Sequence, residues 1–204
     1  EKASPYTQIT YDAFGHAVRT VRYANGMRNG SVIADGQRDQ VSYVRYDNQG
    51  RAIVETNAMG QAVYTQYDAA DHAIESWYRL DGSDGRWQEV HTYAEFDALG
   101  RQTKSTTKRE THRDYYGTLQ NLGTLPDAIE NVVYNSFGEV TAKGFDGSTT
   151  PLSFTYDLAG RLVSSNSEGA VTRTYGYNLA GVQVFETHKA FLTGSTVVDA
   201  NTKQ

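Results

Sequence analysis

Cysteine is absent from the chain, which excludes disulfide staples, thiolate metal sites and thiol nucleophiles and leaves the cellular compartment open. No apolar run approaches membrane-spanning length, and no signal-type hydrophobic region is present. An excess of positive charge is also lacking. The 19 Lys and Arg residues are outnumbered by 24 Asp and Glu, for a net charge of -5, and the two signs are well mixed along the chain. That balance gives no electrostatic footprint for nucleic acid or an anionic membrane surface. Hydrophobic residues make up 38% of the chain, too few to fill a thick dry core in the manner of a Val/Leu/Ile-rich sandwich. Gly-x-Ser-x-Gly, phosphate-binding loops and the metalloprotease His-Glu-x-x-His helix are all missing. The first residue is Glu1, not Met, which leads us to expect a segment excised or processed from something longer.

What the chain does have is tyrosine and glycine. Tyr occurs 15 times and Gly 19 times, against 3 Pro. With plentiful Thr and Val, this favours strands joined by tight turns, with Tyr rings packing while their hydroxyls stay near water or a partner.

Self-similarity organises the chain. Tyr11-Asp12-Ala13-Phe14-Gly15-His16 recurs as Tyr46-Asp47-Asn48-Gln49-Gly50-Arg51, Tyr67-Asp68-Ala69-Ala70-Asp71-His72 and Phe96-Asp97-Ala98-Leu99-Gly100-Arg101. Three further copies are Tyr134-Asn135-Ser136-Phe137-Gly138-Glu139, Tyr156-Asp157-Leu158-Ala159-Gly160-Arg161 and Tyr177-Asn178-Leu179-Ala180-Gly181-Val182. The shortest spacing is 21 residues, from Tyr46 to Tyr67 and again from Tyr156 to Tyr177, a period in the range of stacked-repeat architectures. A second punctuation, such as Asn57-Ala58-Met59-Gly60, falls midway, so each unit reads as two short strands and two turns.

Turn chemistry accounts for the spelling. Asp or Asn closes the incoming strand by accepting a hydrogen bond from backbone two residues on, and Gly three residues later supplies a positive φ. Asp71 stands where Gly is expected, and Asp tolerates that conformation better than most side chains. The register predicted from this loop puts Asp157 opposite Arg161 and Tyr156 opposite Leu162, and continues with Thr155 opposite Val163 and Gln66 opposite Ile74. Every Asp of the seven copies then faces Arg or His, while Asn135 faces Glu139 and Asn178 faces Val182. A cross-strand charge pair explains that covariation, because a carboxylate beside Glu139 would be repelled and an amide is not. Neither face of such a sheet alternates cleanly between apolar and polar, which argues against a sandwich. The expected fold is all-β: consecutive antiparallel β-hairpins in a curved single-layer repeat sheet, over residues 1–187, with a loop insertion at about 104–131. Residues 188–204 read as a polar tail, either a last strand or disordered.

Repeated Y-D-x-x-G-R at about 21-residue spacing from Tyr11 to Val182 resembles the YD repeats of the RHS family, found in bacterial polymorphic toxins, in the B and C subunits of Tc toxins and in teneurins. The resemblance implies a segment of a hollow β-hairpin shell which, in the bacterial toxins, encloses a toxin. It implies as partners the rest of a larger RHS-type polypeptide or a companion shell subunit together with an enclosed cargo, and a secreted or extracellular location. The D-P-x-G-x-x-D-P-like stretch that accompanies self-cleavage in bacterial members has no counterpart here, so autoproteolysis is not carried over. The expected function is non-catalytic containment, with no cofactor and no metal. The alternative is a carbohydrate- or protein-binding adhesion surface made of the same repeats, and a hydrolase built on scattered Asp, Glu and His ranks last.

Outside the repeat, Asp81-Gly82-Ser83-Asp84-Gly85 superficially resembles an acidic calcium loop but reads better as a hairpin tip, with Trp77 and Trp87 packing across its strands. Glu110, His112 and Asp114 would project from one face of an extended segment, a two-carboxylate, one-histidine set. Alternate residues on one strand are roughly 7 Å apart, too wide for one ion, which favours a charged strand or loop. Leu119, Leu122 and Leu125, interrupted by Gly117, Gly123 and Pro126, suggest a docked loop with one helical turn over 115–131. His16, His72, His91 and His188 read as surface pairing residues.

Overall fold

The computed structural model describes residues 4–82, 85–115, 118–168 and 171–189. Among these there is no helix, and the chain is all-β. Sixteen strands follow one another: β1 (Ser4–Tyr11), β2 (Ala17–Arg28), β3 (Ser31–Val32), β4 (Gln40–Tyr46), β5 (Ala52–Thr56), β6 (Ala62–Tyr67), β7 (Ala73–Asp81) and β8 (Arg86–Phe96). The second half comprises β9 (Gln102–Tyr115), β10 (Thr118–Thr124), β11 (Ala128–Tyr134), β12 (Val140–Phe145), β13 (Leu152–Tyr156), β14 (Leu162–Glu168), β15 (Val171–Tyr177) and β16 (Gln183–Lys189).

The chain divides into two units, residues 1–94 with 107–127, and residues 95–106 with 128–204. In the first, neighbouring strands follow the order β1-β2-β4-β5-β6-β7-β8-β9, with β3 paired to β2 and β10 to β9. In the second, the start of β9 leads into β11-β12-β13-β14-β15-β16. Strand order is thus nearly chain order, and every registered pair is antiparallel, the topology of successive hairpins. The described buried apolar residues are Val21 and Val90 alone, so neither unit rests on a thick core.

Each repeat copy forms a hairpin tip. At the sixth, Asp157 N donates to Arg161 O at 2.9 Å and Gly160 N donates to Asp157 O at 3.0 Å. Asp157 Oδ1 accepts from Ala159 N at 2.9 Å and Arg161 N at 3.0 Å. The same backbone pattern recurs at Asp12, Asp47, Asp68, Asp97, Asn135 and Asn178. The tip glycines have φ between 76° and 91°, and Asp71 holds 66° in their place. Asn57 and Gly60 repeat the turn on the opposite end of the strands, between β5 and β6.

The register departs from the sequence reading one step beyond the aromatic. Tyr156 pairs with Leu162, but Thr155 pairs with Ser164, leaving Val163 as an extra residue; Gln66 likewise pairs with Glu75 and skips Ile74. The same shift leaves Val18, Ile53, Thr141 and Val184 unpaired. A bulge after each tip lets the outgoing strand twist away from its partner, which a flat alternation of side chains does not capture. All six extra residues are β-branched, the trace of this bulge in the sequence.

Residues 104–131 also differ from expectation. Most of the described residues there are strand: β9 continues to Tyr115, β10 returns along it with Asn121 opposite His112, and β11 begins at Ala128, with 116–117 outside the described residues. Gly123, at φ 135°, sits at the register shift in β10. It marks a bulge and does not break a helix, and three leucines at a spacing of three are too short a signal to outweigh the surrounding Thr-rich strand text. The tail expected from 188 begins inside β16, which runs to Lys189, while 190–204 lie outside the described residues.

Candidate functional site: the clasp between successive hairpins

The repeat motif does more than turn the chain. Past the bulge, the backbone ladder between one hairpin and the next stops short of the tips. The last registered pairs at that end are Arg19 with Tyr43, Val54 with Tyr64, Ala142 with Ser153 and Ser164 with Thr174. In each case the motif tyrosine three residues farther along donates its hydroxyl to a carbonyl beyond that last pair. Tyr46 donates to Ala17 O at 3.2 Å, Tyr67 to Ala52 O at 3.0 Å, Tyr156 to Val140 O at 3.0 Å and Tyr177 to Leu162 O at 2.8 Å. Tyr134 does the same to Gln102 O at 3.0 Å. The acceptor is always the sixth residue after the previous motif's aromatic, so the hydroxyl takes over where the ladder ends. Phe96 has no hydroxyl to give, and Tyr11 has no preceding copy in this chain.

The basic residue fills the gap between tips. Arg51 Nε donates to Asp47 Oδ2 at 2.8 Å within its own hairpin, and its guanidinium lies 4.8 Å over the ring of Tyr67 in the next. Arg51 Nη1 also donates to Asp68 O at 2.9 Å and to Asp71 Oδ1 at 2.8 Å. Asp71 therefore gives up glycine's freedom at a tip where a carboxylate meets the preceding arginine. Arg101 covers Tyr134 at 4.5 Å and Arg161 covers Tyr177 at 4.9 Å, each also bonded to its own Asp at 2.7 Å through Nε. His16 plays the part in the first copy, bonded to Asp12 at 3.0 Å and stacked on Tyr46 with ring centroids 4.7 Å apart. In the fifth copy Asn135 Nδ2 donates to Glu139 Oε2 at 2.6 Å, so the amide binds the carboxylate as well as avoiding repulsion.

These side chains also explain the tip glycines a second way. A Cβ on Gly50 would lie 2.9 Å from His16 Nε2, and one on Gly160 would lie 2.9 Å from Glu139 Oε1. Close approach and positive φ both call for glycine there.

The clasp sets local electrostatics. The Arg51 backbone N–H, followed by its side chain, holds the Asp47 carboxyl below the ordinary carboxylate value, against some desolvation. Hydrogen bonds from the His72, Arg101 and Arg161 side chains lower Asp68, Asp97 and Asp157 in the same way. Burial, with Glu139 nearby, pushes the Tyr156 phenol up.

The reach of Arg and Tyr from one hairpin to the next went unread in the sequence, where the Asp–Arg pair was placed within a single hairpin. The available signal was that Tyr, and not merely an aromatic, occupies six of seven copies.

The polar constellation on β9 is placed differently from its sequence reading. His112 is buried and stacks against Trp87, with Glu110 Oε2 3.5 Å and Glu89 Oε2 3.7 Å from its Nε2. Asp114's side chain lies outside the described residues. Among those that are described, no group of three or more His, Asp or Glu side chains is placed so that it could hold a metal ion. At the Asp81–Gly85 tip, Gly82 N donates to Arg86 O at 2.7 Å and Gly85 has φ 75°, a hairpin turn, with residues 83–84 outside the described set. Trp77 stacks on Tyr64 at 4.0 Å, and Trp87 is covered by Arg79 at 4.2 Å. No described helix is long and apolar enough to cross a membrane.

No family model matches the chain, and no curated protein matches it in sequence. Solved structures do match in fold. A crystal structure of TcdB2-TccC3 aligns at 16% identity and a TM-score of 0.52, over 96% of this chain and 12% of that one. The TcdB2-TccC3-Cdc42 structure aligns at 16% identity and 0.51, over 98% and 12%. TcdB2-TccC3 without its hypervariable C-terminal region aligns at 16% identity and 0.50, over 91% and 11%. This chain thus has the fold of a stretch of those Tc toxin proteins and spans 12% or less of their length.

Proposed function

We propose that this chain is a stretch of non-catalytic shell wall. It would join the rest of a larger RHS-type polypeptide, or a companion shell subunit, to enclose and shield a toxin or other polypeptide cargo outside the cell that makes it. The observation that carries this reading is the clasp. Tyr46, Tyr67, Tyr134, Tyr156 and Tyr177 each bond to the preceding hairpin. A side chain from that preceding hairpin lies against four of these rings, so recurring residues tie each hairpin to the next within each unit. The resemblance of the repeats and the fold shared with the TcdB2-TccC3 structures support the same reading.

The clasp weighs against the glycan-binding alternative, because Arg51, Arg101 and Arg161 already cover one face of the tyrosines a sugar would stack on. Electron microscopy of the complete polypeptide carrying this chain tests containment. A hollow particle whose cargo resists protease until the wall is denatured is expected, and a solid particle or a freely digested cargo would overturn the reading. A glycan array gives the complementary readout: a wall gives no selective hit.

A further inference from the structure

The hairpin tips differ in the two side chains that neither the turn nor the clasp uses. The Asp or Asn side chain, the glycine and the backbone close each loop, so the third and fourth side chains of the motif take no part in local folding. Asn48-Gln49 and Ala69-Ala70 show that the turn closes equally on polar or small pairs. In the second unit every tip nevertheless carries one large apolar side chain there: Leu99, Phe137, Leu158 and Leu179. Leu99 and Phe137 are 76% and 80% exposed, and Leu158 and Leu179 are fully exposed. We propose that these four tips form a docking row for the hairpin ends of another stretch of the same polypeptide. The proposal rests on the wall reading and names the contact by which one course of hairpins would seat on the next.

Three observations carry the assignment. First, the row is held in order. Arg101 Nη1 donates to Asn135 O at 3.4 Å, Tyr156 donates its hydroxyl to Val140 O at 3.0 Å and Arg161 Nη1 donates to Asn178 O at 3.4 Å, which keeps consecutive tips side by side. Each large side chain stands next to a small one, Ala98, Ser136, Ala159 or Ala180, so that projections alternate with gaps. Turn positions in water favour Gly, Asn, Asp and Ser, and a series of exposed apolar residues at such positions marks an interaction surface.

Second, the spacing points to the partner. Consecutive tips are two strands apart, roughly 9–10 Å. A partner that meets all four must repeat its apolar sites at that interval. The ends of a second hairpin array, built on the same strand spacing, do so.

Third, the area argues for a partner in the same polypeptide. Four such side chains offer about 400–800 Å² of apolar surface. Specific interfaces between separate proteins take roughly 800 Å² from each partner. A separate molecule would therefore be held weakly, whereas a tethered stretch of the same chain meets the row at high effective concentration.

The chain has no cysteine, so one introduced thiol reports one position. Leu179→Cys is compared in this chain alone and in the complete polypeptide that carries it. We expect a maleimide to react with that thiol at least about tenfold more slowly in the complete polypeptide, because only opening of the contact exposes it. A photo-reactive benzoyl-phenylalanine in place of Phe137 should cross-link to a hairpin-forming stretch of the same polypeptide, identified by mass spectrometry. Equal reactivity, or a cross-link to the enclosed cargo or to a second molecule, would overturn the proposal. Leu158→Ser/Leu179→Ser alters only exposed side chains, so it should leave the urea midpoint of this chain unchanged and lower that of the complete polypeptide. A midpoint unchanged in both, or lowered in this chain alone, would also overturn it. Failure of the wall reading looks different: it gives a solid wild-type particle, whereas failure of the row gives a hollow one in which Leu179→Cys reacts freely.

Discussion

Replacing Tyr67 by Phe removes one hydroxyl and leaves the ring beneath Arg51 in place. The lost bond is the 3.0 Å contact to Ala52 O, beyond the last ladder pair of Val54 with Tyr64. A hydrogen bond of this kind contributes about 0.5–1.5 kcal/mol net, with the upper end favoured where the abandoned carbonyl is part-buried, as here. For a chain of this size that corresponds to a fall in Tm of roughly 2–5 °C. Tyr11 is the internal control: it is 58% exposed and its hydroxyl bonds to none of the described residues, so Tyr11→Phe should cost under about 0.3 kcal/mol. Both residues lie in the first unit, as do Trp77 and Trp87, so urea unfolding followed by tryptophan fluorescence reads both variants. The midpoint should move for Tyr67→Phe at constant slope, since the surface exposed on unfolding is nearly unchanged. Extending the change to Tyr46, Tyr134, Tyr156 and Tyr177 should cost about 2.5–7.5 kcal/mol if the sites add, comparable with the whole stability of an ordinary domain. Equal midpoints for Tyr67→Phe and Tyr11→Phe would refute the claim that these hydroxyls tie hairpin to hairpin.

Three further outcomes follow from the tips. The carboxyls of Asp47, Asp68, Asp97 and Asp157 are lowered from 3.8 in the folded chain, so the stability they contribute is present above that value and is lost as pH falls below it. Urea midpoints measured from pH 7 downward should drop in that acid range, and Asp157→Asn should flatten part of the slope. Gly50→Ala and Gly60→Ala both force alanine to a positive φ, at 81° and 79°, costing about 1–2 kcal/mol each. Gly50→Ala should cost distinctly more, because its Cβ meets His16 while that of Gly60 meets nothing within 4 Å. Asn135→Asp replaces the 2.6 Å amide bond to Glu139 with a second carboxylate, and should destabilise at neutral pH by about 0.5–1 kcal/mol and recover on acidification.

The hairpin tips were legible because their chemistry is local. Asp157 and Gly160 act on backbone within four residues, and a repeated spelling shows that action seven times. The bulges were not read, although Val18, Ile53, Ile74, Thr141, Val163 and Val184 mark them, because β-branched residues suit any strand position and carry no register of their own. The long β9 and its partner β10 were missed for a related reason: Gly117 and Gly123 read as helix breakers, while Gly123 in fact serves a strand irregularity. The clasp lies farther from view. Tyr46 and Ala17 are 29 residues apart and Tyr134 and Gln102 are 32 apart, because insertions separate those copies while the Tyr67 and Tyr177 contacts span 15. Only the three-dimensional register brings such different spans to one geometry. The same holds for Glu89 and His112, which meet only because β8 and β9 lie side by side.

The clasp selects for more than positive charge. Its position carries Arg51, Arg101 and Arg161, with His16 and His72, and never lysine. A planar nitrogen group can lie flat on the next tyrosine while an edge nitrogen bonds the aspartate of its own turn. Arg161 reaches both, with its guanidinium carbon 4.9 Å from the Tyr177 ring centroid and its Nε and Nη2 each 2.7 Å from Asp157 Oδ2. His16 does the same with one fewer donor. Lysine would bring the charge without the plane or the fork, so charge alone should not hold the gap. If planarity decides, Arg161→His retains more stability than Arg161→Lys, although lysine better preserves charge at neutral pH. If the ion pair decides, the order reverses and both variants become strongly salt-dependent. Urea midpoints of the two variants at low and high salt separate the cases, and a lysine variant matching the wild-type protein would show that the ring contact contributes nothing.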